Sequence, residues 1–470
     1  MGKIFLRRNS YYNISKIMVD IRCTKVNYPE IIVEPPGSKA RKIIERDEKY
    51  IMQSFSRWFP LVVSKAYDFI VEDVDGNKYI DFNSGIAVMN VGHCHPKVIQ
   101  AIKEQLEKFT HYSITDFLYE EPVKLAENLF RITPGNFTKK VYYGNSGAEA
   151  NEAAIKVVRG HFKGKRPYII AFSGCFHGRT YGAMSLTASK PIQRKGFYPL
   201  VPGIIHTPYP YCYRCPFRQT FPSCNYWCVD FIEEWIFGKY VSPDEVSAFI
   251  FEPIVGEGGY IVPPEDFFPR LKKLADKYGI LLIADEIQSG MGRTGKWFAT
   301  EHWNTVPDIT TMAKAIASGL PLGATVGRAE IMDLPPGSHA STFGGNPVSC
   351  AAANAVIQVI EEERLLENAR RLGEYTLKRL NELKERIDVI GDVRGVGLMI
   401  GIELVKDKDN PEPNRELLKK VLMTAFKKGL LVIGAGKSVI RISPPLTITQ
   451  EAVDKGLEII EKSILESLNK

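Results

Sequence analysis

Between residues 140 and 286 the chain repeats one arrangement: a short apolar run, a turn, and a longer segment whose apolar positions recur at helical spacing. The runs are KVYYGN (140–145), YIIAFS (168–173), AFIFEP (248–253) and LLIADE (281–286). Hydrophobicity that is continuous rather than alternating over so few residues predicts strands buried on both faces. Segments 148–162 and 267–278 predict the helices that cover them, and the alternation predicts an α/β core with a largely parallel sheet.

Ahead of that core, Pro35, Pro36, Gly37 and Pro60 punctuate an arm with one helical stretch over 41–53. AYDFIVEDVDGNKYIDF (66–82) alternates on either side of Asp75-Gly76-Asn77 and predicts a hairpin. Residues 92–108 begin as a loop and run into an amphipathic helix with Pro96 in its first turn, and a second helix follows over 120–130. After Gly345 the pattern changes to a helix over 347–363, a charged helix reaching 384, and strands near 393–404 and 438–442. Three parts are expected: an arm and hairpin (1–85), a large domain (86–344) with a cysteine-rich insertion at 209–230, and a smaller α+β unit (345–470) that packs with the arm.

With 470 residues there is room for two or three domains and a large core. No apolar run approaches the roughly 18 residues of a membrane span. Basic residues outnumber acidic ones, 61 to 54, but without a long run of one sign. That charge is too diffuse to predict nucleic-acid binding and suits small anions such as phosphates and carboxylates. The first 17 residues carry Lys3, Arg7, Arg8 and Lys16 and no acid. They lack the apolar centre and cleavage site of an export signal, so a tail ahead of Met18 and a cytoplasmic protein are expected.

Chemistry enters where the last apolar run stops in two acids. Asp285 stands at the carboxyl end of a buried strand, where open α/β sheets hold ligands, and its charge requires a cationic partner. Downstream, MAKAIASGLPLG (312–323) presents Lys314 among small residues. In that order the pair reads as a pyridoxal phosphate site. Asp285 would keep the pyridine nitrogen protonated, and Lys314 would carry the aldehyde as a Schiff base and then shuttle the proton.

Further segments fall in an order that supports this. GNSGAEA (144–150) follows a strand and opens a helix, so its free amides make a phosphate cradle, with Gly147 allowing close approach. Phe176 in FHGRT leaves the next strand where a ring could stack on a pyridine, and Arg179 could grip a carboxylate as a fork. FEPIVGEGGY (251–260) ends a buried strand in Glu252 and Glu257. HASTFGGNP (339–347) offers the Thr342 hydroxyl to a phosphate, and IRISPP (440–445) places Arg441 inside an apolar strand, where it needs an anionic partner.

Taken with ADEIQSGMGRTG, these motifs resemble, in order and over residues 40 to 465, the class III, subgroup II ω-aminotransferases of pyridoxal-phosphate fold type I. The resemblance implies a large domain with a mainly parallel seven-stranded sheet plus a smaller α+β domain. It makes Lys314 the Schiff-base lysine, Asp285 the partner of the ring nitrogen, Gln288 a neighbour of the 3-oxygen and Phe176 the stacking ring. Gly147 and Ala148 would bind phosphate, with Thr342 reaching in from the second subunit of a homodimer, itself able to pair into a tetramer. Arg179 resembles the residue that holds the distal carboxylate in the 4-aminobutyrate branch. Arg441 resembles the one that takes the α-carboxylate of 2-oxoglutarate, with Glu257 as its gate, and Glu252 would complete the charge network. Ile86 matches the apolar residue of 4-aminobutyrate aminotransferases, and Trp58 stands where ornithine-specific relatives carry a tyrosine. The expected reaction is 4-aminobutyrate with 2-oxoglutarate to succinate semialdehyde and glutamate. Amino-acid racemases and ornithine, acetylornithine or lysine aminotransferases share the scaffold.

Cys212, Cys215, Cys224 and Cys228 form C-x2-C-x8-C-x3-C within the insertion. The spacing permits a tetrahedral zinc site, two disulfides or four free thiols, and with zinc a docking module. His93, Cys94 and His95 are read as loop and helix-start packing. GAGKS (434–438) imitates the tail of a P-loop, but Leu431 stands where that pattern needs glycine, so a turn is expected.

Overall fold

The computed structural model describes residues 27–468, so the expectations for residues 1–17 and Met18 lie outside the described residues. The helix Ser38–Tyr50 leads into β1 (Val63–Tyr67), β2 (Ile70–Asp73) and β3 (Lys78–Asp81). The Asp73 carboxylate accepts from the Asp75 and Asn77 amides, both at 2.9 Å, and so closes the β2–β3 turn.

Seven strands follow: β4 (Lys139–Gly144), β5 (Tyr168–Ser173), β6 (Ile204–Pro208), β7 (Val246–Phe251), β8 (Leu281–Asp285), β9 (Ile309–Met312) and β10 (Gly323–Arg328). They form one sheet in the order β4-β10-β9-β8-β7-β5-β6. Neighbours from β6 to β9 are parallel, whereas β10 runs antiparallel to both β9 and β4. The continuous apolar runs are explained by burial on both faces. Ile169, Ala171 and Ile283 pack with Ile155 and Val158 of the helix Gly147–His161. Their strand neighbours Ile170, Phe172 and Leu282 pack on the other face with Phe267 and Leu271 of the helix Phe267–Tyr278. Each of the larger side chains among them contributes roughly 1.5–3 kcal/mol, enough to outweigh local propensity.

The sheet is the expected seven-stranded, mainly parallel one, but β6, β9 and β10 were not among the predicted strands. The last two hide their burial behind polar or small residues. Thr311 donates to Asn151 Oδ1 and Thr325 to the Ala150 carbonyl, both at 2.8 Å, so these hydroxyls are buried without leaving a hydrogen bond unmade.

Beyond the helices Pro347–Glu362 and Leu365–Arg386 come β11 (Ile390–Val396), β12 (Met399–Leu404), β13 (Leu430–Leu431), β14 (Ile433–Ala435) and β15 (Val439–Ile442). An antiparallel sheet runs β11-β12-β15-β14, while β13 adds in parallel to β3. Within GAGKS, Gly434 and Ala435 end β14 and residues 436–438 form the turn into β15, so a turn is present as read from the sequence but only over its last three residues. Among the described residues no helix is long and apolar enough to cross a membrane.

Candidate active site

The ends of β7 and β8, the exit of β5 and the start of the helix Gly147–His161 surround a cavity of about 820 Å³. Lys314, Asp285, Gly147, Ala148, Phe176, Glu252, Gln288, Ile86, Trp58, Arg179, Glu257 and Arg441 all line it. Thr342 does not; it is exposed on its own chain.

Asp285 closes β8 and is only 2% exposed. Its Oδ2 accepts from Asn151 Nδ2 at 2.8 Å and shares a 2.7 Å bond with His177 Nδ1, while Oδ1 accepts from the Ile287 amide at 3.1 Å. Asn151 is itself oriented from behind by Thr311 and donates also to the His177 carbonyl at 2.7 Å. The carboxylate is therefore fixed in direction by neutral and ring donors.

Lys314 opens a short turn after β9 with φ of 49°, an uncommon backbone state for a residue with a Cβ. Burial pulls its ammonium pKa down; Glu252, Glu257 and Asp285 oppose this, and Arg441 adds to it. Glu252 follows β7 and accepts from the amides of Phe176 at 2.8 Å and Gly256 at 3.2 Å. Burial, then the nearby charge of Asp285, raises its pKa, which those amides and Lys314 only partly offset. A Cβ at Gly256 would lie 2.0 Å from Gln288 Oε1, so glycine there lets the Gln288 amide keep its position, and that buried oxygen has no partner among the described residues.

Glu257 is gripped from two sides: Arg441 Nη1 meets Oε1 at 2.7 Å and Lys190 Nζ meets Oε2 at 3.2 Å. Burial alone would raise its pKa, but the two cations outweigh it and lower it to about 2. Arg441 is buried in β15, and its Nε has no partner among the described residues. The Arg179 guanidinium lies over the Phe176 ring, 5.4 Å from its centre, and the residue is exposed. Trp58, Ile86 and Ile192 contribute apolar surface to the cavity wall.

Several lining or supporting residues escaped the sequence reading. Asn151 carries a signal in retrospect, since it lies one helical turn beyond Gly147 and so shares its face. His177 stands inside the FHGRT motif, yet nothing local distinguishes it from a packing histidine. Lys190 and Ile192 come from a segment without any motif.

The four insertion cysteines are free thiols lining one small cavity. Burial raises the Cys212 and Cys228 pKa values to about 11 and about 12, with the neighbouring thiols adding to it. Among the described residues no group of three or more His, Cys, Asp or Glu is arranged to hold a metal. His93 pairs with Asp81 at 2.8 Å and His95 with Glu363 at 2.9 Å, which is packing.

The model of the family aminotransferase class-III matches residues 51–464. The chain belongs to the class-III aminotransferases. It is 44% identical to the alanine/serine racemase of Pyrococcus horikoshii over 98% of this chain and 96% of that one. To the 4-aminobutyrate aminotransferase of Mycobacterium leprae it is 41% identical, over 92% and 97%. An aminotransferase structure from Bacillus anthracis superposes with a TM-score of 0.84 at 31% identity, over 91% of this chain and 99% of the other.

Pyridoxal phosphate is the cofactor of this aminotransferase family, and the residues of the cavity fit it. First-turn amides at Gly147 and Ala148, which the helix cannot use, suit a phosphate. An oriented, buried carboxylate at Asp285 suits a protonated ring nitrogen. The buried Gln288 amide has an oxygen still unpaired, and Lys314 lies in the same cavity.

Proposed function

We propose that the protein transfers the amino group of an ω-amino acid, 4-aminobutyrate, to 2-oxoglutarate. The observation that carries this reading is that two arginines, Arg179 and Arg441, line one cavity, as substrates with carboxylates at different distances from the reacting carbon require. When bound, pyridoxal phosphate supplies a cationic ring that withdraws the electrons left by a bond broken at the amine-bearing carbon.

Asp285 holds the proton on the ring nitrogen, its direction set by Asn151 and His177. Lys314 Nζ anchors the cofactor and then carries the proton at the reacting carbon, a task suited by burial that lowers its pKa. Phe176 would stack on the ring, Gln288 would serve its 3-oxygen, and Gly147 and Ala148 would hold the phosphate. Glu252 completes the charge network around Lys314. Thr342, exposed on its own chain, completes the phosphate site of the other subunit in a cytoplasmic homodimer. Arg179 takes the distal carboxylate, while Arg441, released by Glu257, takes the α-carboxylate of 2-oxoglutarate. Trp58 and Ile86 supply no polar anchor for the amino-acid end of ornithine.

A second reading is racemisation of an aliphatic amino acid. The identity to the alanine/serine racemase supports it, as does the apolar surface of Trp58, Ile86 and Ile192. A panel of amino donors with and without 2-oxoglutarate, scored for keto acid and enantiomeric excess together, separates the two. Consumption of 4-aminobutyrate that requires 2-oxoglutarate supports the transaminase; an L-amino acid losing its chirality with no keto acid present overturns it.

A further inference from the structure

Lys190 belongs to no motif, and the roles assigned above leave it unused. Its backbone is nevertheless well fixed. The preceding Ala188 exchanges hydrogen bonds with the exit of β5, its amide with the Cys175 carbonyl at 2.9 Å and its carbonyl with the Gly174 amide at 3.0 Å. From there Lys190 Nζ reaches the Glu257 oxygen that Arg441 leaves free. The Glu257 backbone is held as well, its carbonyl accepting from the Gly436 amide at 2.9 Å.

A gate made of Arg441 and Glu257 alone faces an energetic obstacle. Moving the guanidinium to a substrate carboxylate strands a mostly buried carboxylate without a counter-charge, and breaking such a pair is strongly unfavourable. Here the second oxygen keeps its own cation. Lys190 is the better placed of the two cations to stay, because its side chain is 32% exposed against 3% for Arg441 and its charge is partly solvated whichever way the gate stands.

Resting on the gate reading of Glu257, we infer that Lys190 is a positioning residue that sets specificity: by remaining on Glu257 it frees Arg441 for substrates bearing an α-carboxylate. Burial opposes the charge on Glu257 and the two cations sustain it, Arg441 first and Lys190 second, so Lys190 is the counter-charge that remains when Arg441 moves away. Substrates without an α-carboxylate leave the Arg441–Glu257 pair closed and draw much less on Lys190.

The test compares holoenzyme carrying Lys190→Met or Lys190→Arg with the wild type, the half-reactions with 4-aminobutyrate as donor and with 2-oxoglutarate as acceptor being followed separately by cofactor absorbance. For Lys190→Met the acceptor's KM is expected to rise relative to the donor's by about tenfold, the loss of one charge-assisted hydrogen bond, with Lys190→Arg restoring the ratio. An unchanged ratio overturns the inference. So does a selective rise for the donor, which would mean that Lys190 grips the substrate itself. If the wild type racemises an L-amino acid and ignores 2-oxoglutarate, the transaminase reading fails on its own. The Lys190 comparison is then made on that amino acid's KM, since it too offers an α-carboxylate to Arg441, with the same tenfold rise expected and no rise overturning it.

Discussion

Two clusters of buried charge lie at opposite ends of the segment 251–260, and they are built differently. On one side Glu403 accepts from Tyr211, Arg214 and Arg394, and Arg394 also binds Asp392 at 2.7 Å and the carbonyls of Tyr260 and Gly259 at 3.0 and 2.6 Å. Burial would raise the Glu403 pKa, but its cations and the Tyr211 hydroxyl lower it. On the other side, Lys314, Glu252 and Arg441 line a cavity where Arg441 Nε, Gln288 Oε1 and His177 Nε2 have no hydrogen-bond partner among the described residues. A charged cluster saturated by the protein is a clamp. One left with unmet hydrogen bonds, a raised acid and a lowered lysine is waiting for something else.

Lys314→Ala tests that contrast with the largest effect. Turnover should fall by about a thousandfold or more, with loss of the bound cofactor's absorbance and little change in melting temperature of the cofactor-free protein. Retention of either turnover or absorbance counts against the site. Arg394→Met should behave in the opposite way. It removes one of the two cations on Glu403, Arg214 remaining, together with the cation on Asp392, and costs about 3 kcal/mol of stability in denaturant unfolding, while kcat at low temperature stays near the wild-type value. A kinetic defect without a loss of stability would mean that the clamp belongs to the site.

Glu286 sharpens the comparison because it is buried and has no ion-pair partner among the described residues. Ser289 donates to one oxygen at 2.5 Å and the Thr300 amide to the other at 2.8 Å, yet burial still raises its pKa to about 7. Its folded pKa lies above the unfolded one, so its contribution is full below the ordinary 4.5 and is lost as pH rises through about 7. Glu286→Gln should flatten stability across that window, a difference of up to about 3 kcal/mol at pH 8. Unfolding curves at a series of pH values check it, and an unaltered pH slope in the variant would refute the assignment.

How much of this was legible beforehand follows from the same physics. The strands β5, β7 and β8 could be read because burial on both faces forces unbroken apolar runs, whereas β4, half-buried at the sheet edge, shows only the short run 141–143. Asp285, Glu252 and Glu257 stood out as acids where such runs end. β9 and β10 could not be read, since their threonines are satisfied only by Asn151 and Ala150 of a distant helix. Lys190 was invisible for a related reason: its partner lies 67 residues away in sequence, and no local pattern announces that pairing. The cysteine spacing allowed three outcomes that spacing alone does not separate.

The smallest effect concerns backbone rather than charge. Asp392, Arg394 and Glu403 sit in ordinary strands, whereas Ser84, Gly85, Ile86 and Ala87, beside the cavity, all have positive φ, 45°, 64°, 68° and 56°. For a β-branched residue such as Ile86 this conformation is strained, by roughly 1–2 kcal/mol. Ile86 is also 40% exposed, so it loses little packing on truncation. Glycine in ordinary backbone costs about 0.5–1 kcal/mol, but here strain relief offsets that penalty, and Ile86→Gly should change stability by less than about 1 kcal/mol, in the stabilising direction. The same change removes apolar surface from the cavity wall, so the KM for an aliphatic substrate should rise while the melting temperature holds or climbs. A loss of more than about 2 kcal/mol would show that the left-handed turn is held by Ile86 packing rather than strained against it.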